Sequence, residues 1–186
     1  MDPTSTQIDI LSNVAASLLS IERLVTATAY LIGLSFAVKA LYSLKVYGEA
    51  RSMMSQSSSI KEPVIYLLVS ALLIYIPTGF QIMLNTTFGV GSSVLAYAPV
   101  SSQSPLISGL FGPGSQVGES LTIIIQVIGV IAFVRGWVLI ARGATHGQPP
   151  GATGQGLMHV FGGVLAINII GTLEVFNNTL YGVSVG

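Results

Sequence analysis

This chain of 186 residues is 51% hydrophobic and only 8% charged, and its seven basic and seven acidic residues cancel. Soluble domains carry about 25% charged residues, so a chain this poor in charge reads as one whose main solvent is lipid. Zero net charge leaves no basic face for nucleic acid, and the lack of cysteine removes disulfides and thiolate metal sites.

The N-terminus opens with Asp2 and Pro3 and has no basic, then apolar, signal-peptide pattern, so targeting is expected to rest on the spans. Residues 1–23 read as an amphipathic helix: Leu11, Val14, Leu18, Ile21 and Val25 recur at spacings of three and four. Such a helix either lies on the outer leaflet or continues into the first span as a partner-binding helix.

A helix needs about 20 apolar residues to cross a ~30 Å hydrocarbon core. Four stretches come close: 24–44, 63–84, 120–141 and 157–176. The first and third close on Lys39 and Arg135, whose long stems can snorkel to the headgroups. Tyr42 and Trp137 then fall in the interfacial belt. The second span contains Pro77, where a kink is expected. The fold class is therefore an all-α membrane protein with four transmembrane helices plus the N-terminal amphipathic helix.

The spans form a repeat. Residues 66–91 lie over 159–184 at an offset of 93. Leu72, Ile74, Ile76, Asn85, Thr86, Gly89 and Val90 recur as Leu165, Ile167, Ile169, Asn178, Thr179, Gly182 and Val183. In the apolar runs ahead, Ile32, Gly33, Val38 and Lys39 fall on Ile128, Gly129, Val134 and Arg135. Two tandem hairpins result, 24–91 and 120–184, joined by a Gly/Ser/Pro-rich connection over 92–119 that carries enough apolar groups to pack on a partner or dip into the headgroups. Basic flanks stay cytoplasmic. Lys39, Lys45, Arg51 and Lys61 flank the first tight connection, and Arg135 and Arg142 the third. Both termini then face outward, and both copies cross in the same sense, as a parallel duplication.

Little in the chain suggests chemistry. His146 and His159 have no acid or cysteine at ligand spacing, so no metal site, cofactor or catalytic set is expected. His159 is expected to bond a neighbouring helix or loop. Asn168 falls mid-span opposite Tyr75 and is expected to adhere helix to helix. Glu174, opposite Gln81, is expected at the outer interface. Gly33, Gly129, Gly162 and Gly163 make flat faces where helix backbones can meet.

Three stretches together carry a family resemblance: Asn85–Gly91 (NTTFGVG), Phe133–Trp137 (FVRGW) and His159–Asn168 (HVFGGVLAIN). They resemble the small inner-membrane proteins of type IVB (Dot/Icm) secretion systems, the group of IcmC (DotE) and DotV, over about residues 24–182. The resemblance implies a bacterial inner-membrane protein that supports export of effector proteins or DNA. Its partners would be other secretion-system membrane subunits such as DotA, in an assembly of several copies. The hairpin layout also resembles conjugation pilins. A small transporter or ion channel and a polymerising pilin-like subunit are the competing readings.

Overall fold

The structure, a computed structural model, describes residues 3–52, 59–89, 104–113, 115, 117–145 and 151–182. Among them are seven helices and no strand: α1 (Pro3–Ser52), α2 (Lys61–Ile74), α3 (Ile76–Phe88), α4 (Pro105–Phe111), α5 (Gly118–Gly143), α6 (Ala152–Ile167) and α7 (Ile169–Tyr181). The helix ends follow local rules. Glu62 and Glu119 stand in the first turns of α2 and α5, and Arg51 and Arg142 in the last turns of α1 and α5, as the helix dipole favours. Pro105 opens α4, where its missing N–H costs nothing.

α1 runs without a break for 50 residues, about 75 Å at the usual rise. The N-terminal segment and the first span are one continuous helix. α1 and α5 are each long and apolar enough to cross a membrane. The other two predicted spans are bent: α2 and α3 meet at 92°, and α6 and α7 at 90°. Among the described residues there are thus two candidate spans, or four if each bent pair counts as one.

Burial runs opposite to that of a water-soluble helix. α1 buries Ala15, Ala29, Gly33 and Ala40, and exposes Leu24, Leu31, Leu34, Val38 and Leu41. In water each exposed aliphatic would forgo about 1.5–3 kcal/mol of burial. Small residues inside and large apolar residues outside is the arrangement that lipid tolerates, because helices there associate by close backbone approach.

The helices gather into two compact units. One comprises Met1–Leu24, Phe80–Ile131 and Gly163–Gly186, the other Val25–Gly79 and Ala132–Gly162. In the first, Phe111 and Ile170 form a core with Ile107, Leu121, Ile125, Ile169 and Leu173. The described part of the 92–119 connection therefore packs through α4 on its own chain; Leu95 and Tyr97 lie outside the described residues. Also in this unit, a methyl on Gly129 would sit 2.8 Å from the Ile167 nitrogen. In the second unit, the same test on Gly136 gives 2.7 Å to the Gly156 carbonyl, and Gly143 meets the Thr153 hydroxyl at 2.5 Å. Gly129, Gly136 and Gly143 stand seven apart on α5, and each admits α6 closer than any side chain would.

Candidate functional site at two right-angle helix breaks

The two breaks fall at Tyr75 and Asn168, the residues that the repeat superposes. Their surroundings correspond as well. In the first copy, Gly33 lies against Leu73 and Ile74, just before the break, at 3.0–3.1 Å from a notional methyl. In the second, Gly129 lies against Ala166 and Ile167, the repeat mates of that pair. Beyond the breaks, Thr86 Oγ1 donates to the Ile82 carbonyl and Thr179 Oγ1 to the Val175 carbonyl, both at 2.8 Å. α3 and α7 then end on Gly89 and Gly182, with φ of 70° and 63°, each donating its N–H four residues back. Only glycine adopts that left-handed conformation without strain, which explains why NTTFG and NTLYG share their last letter.

The copies differ in how they satisfy the freed backbone. At the second break Asn168 Oδ1 accepts from the Gly171 N–H at 3.1 Å. The Thr172 hydroxyl reaches back across the bend to the Leu165 carbonyl at 2.8 Å and the Asn168 carbonyl at 2.9 Å. Asn168 therefore caps its own helix and does not glue one helix to another. Its short amide can fold onto the first turn of α7, where N–H groups are unpaired.

At the first break Tyr75 has φ −100° and ψ 34°, its N–H bonds the Ala71 carbonyl, and its side chain is 68% exposed. α2 ends at Ile74, so the carbonyls of Leu72, Leu73 and Ile74 have no helical donor. Pro77, four residues past Leu73, has no N–H to offer. It occupies the first turn of α3, and the bend lies two residues before it. The second copy bends as sharply without proline, so proline alone is not the cause. The fourth span, expected unbroken, breaks at Asn168.

A polar hub holds the other end of α2. Tyr66 is buried, and its hydroxyl accepts from Lys39 Nζ at 2.7 Å and pairs with Thr145 Oγ1 at 2.7 Å. Phe36 stacks at a tilt, ring centres 5.5 Å apart. One tyrosine thus ties α1, α2 and the segment after α5 inside a single unit. Lys39 is exposed as a residue, but its ammonium turns onto the Tyr66 hydroxyl and lies 4.5 Å from the centre of the Tyr66 ring.

The remaining predicted residues are dispersed. Lys45 pairs with Glu49 at 3.6 Å, and Arg51 donates to the Tyr47 hydroxyl at 2.8 Å. Lys61 opens α2, and Arg135 and Arg142 are exposed on α5. Gly163 is buried; Gly162 faces open space. His159 pairs through Nδ1 with the Gln155 carbonyl of its own helix at 2.8 Å, not with a neighbouring helix. His146 lies outside the described residues. Trp137 sits edge-on to Phe133 at 6.0 Å, with Nε1 buried and unpartnered among the described residues. Glu174 is half-buried on α7. No group of three potential metal ligands occurs among the described residues. Sequence reasoning missed Tyr66, Thr145, Thr172, Gly136 and Gly156; only the seven-residue glycine spacing was there to be seen.

Taken together, the helices define an integral-membrane type of chain organised around two broken helix pairs. No family model, curated protein or solved structure matches it.

Proposed function

We propose that this chain is a structural inner-membrane subunit of a type IVB secretion-like conduit, built as a parallel duplication of a broken two-helix hairpin. The observation that carries the scaffold reading is the paired breaks: two copies share a bend position, a glycine contact before it and a glycine cap after it. That much repeated geometry, with no group of three potential metal ligands among the described residues, suits a part that packs beside larger subunits. The secretion assignment rests on the three motifs, of which NTTFG now has a structural role. Basic flanks at Lys39, Lys45, Arg51, Lys61, Arg135 and Arg142 support cytoplasmic turns and periplasmic termini. Crosslinking in native membranes followed by purification tests this reading. Recovery in a defined complex with larger secretion subunits is the expected result; a chain recovered alone counts against it.

The right-angle breaks favour one second reading, a small transporter or channel. Broken helices at membrane depth are found where backbone lines a water-filled cavity or a solute site. The purified chain in liposomes would then move an ion or small solute, which a purely structural subunit does not.

A further inference from the structure

Each break has a carbonyl at the same place, Leu72 in the first copy and Leu165 in the second. In the second, the Thr172 hydroxyl donates to it at 2.8 Å. The repeat mate of Thr172 is Gly79, which has no hydroxyl. A methyl placed on Gly79 would meet only the Leu72 carbonyl oxygen, at 4.0 Å, and otherwise open space. The first copy therefore leaves a window onto a carbonyl that the second closes with a donor. Tyr75 and Thr78, both exposed, flank it. Depth makes this costly: Gly33, which touches Leu73 and Ile74, stands at the middle of the 24–44 span. A backbone carbonyl left dry at that depth costs several kcal/mol, and lipid offers no donor.

We propose that water occupies the first break and donates to the Leu72 carbonyl, in the place that the Thr172 hydroxyl takes in the second copy. The inference rests on the membrane placement of α1 and α2 and is independent of the secretion assignment. The first break is then a wet bend and the second a dry, self-closed one.

Cysteine accessibility tests this, because the chain has no native thiol. Gly79→Cys and Leu34→Cys are made singly in the full chain, in native membranes, and exposed to a small charged methanethiosulfonate. Leu34 is exposed on α1 beside Gly33, at the depth of the break. Only the thiolate reacts, and it forms poorly in apolar surroundings. The expected result is labelling of Gly79→Cys at least about tenfold faster than Leu34→Cys, one pKa unit of thiolate access. Failure of Gly79→Cys to react until SDS is added would overturn the proposal, showing that lipid or a partner covers the window. Fast and equal labelling at both positions would overturn the membrane placement itself. Neither outcome bears on co-purification with secretion subunits.

Discussion

Tyr75 and Asn168 occupy one position in two copies, and at each a helix turns through a right angle, 92° in one copy and 90° in the other. They reach the same geometry by different chemistry. Asn168 holds its bend with a side-chain bond to Gly171, whereas Tyr75 contributes only backbone. Asn168→Ala should lower stability by about 1 kcal/mol, the usual loss for a helix cap. Asn168→Ser should restore most of it, and Tyr75→Ala should change little. Thermal unfolding in detergent reads these as shifts of about 2–4 °C per kcal/mol.

Thr172 bridges the same bend, and Thr172→Val keeps the shape while removing the hydroxyl. The single hydroxyl proton is shared between the Leu165 and Asn168 carbonyls; on its removal Asn168 keeps the Thr172 N–H, and Leu165 loses its side-chain donor. The expected loss is about 1–3 kcal/mol, the penalty of one buried acceptor left unmet. Equal stability of Thr172→Val and wild type in denaturant titration would show that the bond does not hold the bend.

The glycines separate into contacts and bystanders. Gly129→Ala and Gly136→Ala would drive a methyl to within 2.8 Å of backbone and should cost about 1–3 kcal/mol as overpacking. Gly33→Ala, at 3.0–3.1 Å, should cost less. Gly162→Ala has open space and a helical backbone, so it should be neutral or stabilising by up to about 1 kcal/mol. The order of the four melting temperatures checks the helix packing independently of any functional reading.

Tyr66→Phe removes the hydroxyl between Lys39 and Thr145 while keeping the ring against Phe36. Lys39 can turn to water, so the loss should stay near 0.5–1.5 kcal/mol, that of an ordinary hydrogen bond. Tyr66→Phe combined with Thr145→Val should cost little more than Tyr66→Phe alone, because both changes remove the same bond. Additive losses in the double variant would show that the hub is not one network.

Lys39→Leu with Arg135→Leu removes the charge that closes the uncharged apolar run of each copy's first span. Reporter fusions at both termini should show a weakened orientation bias, since cytoplasmic retention follows Lys and Arg near the span ends. Unchanged orientation would place control with Lys45, Arg51, Lys61 and Arg142 or with partner subunits.

Composition and periodicity by themselves determined the lipid-facing character, the register of the repeat and the closeness of Gly33 and Gly129 to a second helix. These depend on residue type and spacing, which a sequence displays directly. The glycine ends of α3 and α7 were visible as recurring letters, though not as left-handed caps. A bend in 63–84 was legible from Pro77, but the tertiary structure alone decided that it falls at Tyr75, that it reaches a right angle, and that 157–176 bends as well. Hydropathy adds residues along a line, and it is blind to a single backbone torsion such as that of Tyr75. It also decided the partners: Asn168 and His159 bond their own helices, while Tyr66 reaches across its unit to Lys39 and Thr145. A polar side chain in an apolar run must find a donor or acceptor, but which one depends on what folding brings within about 3 Å. The paired bend at Tyr75 and Asn168 lies between these cases. The repeat aligns Tyr75 with Asn168, but that both are bends, their angle and their two different closures came only from the fold.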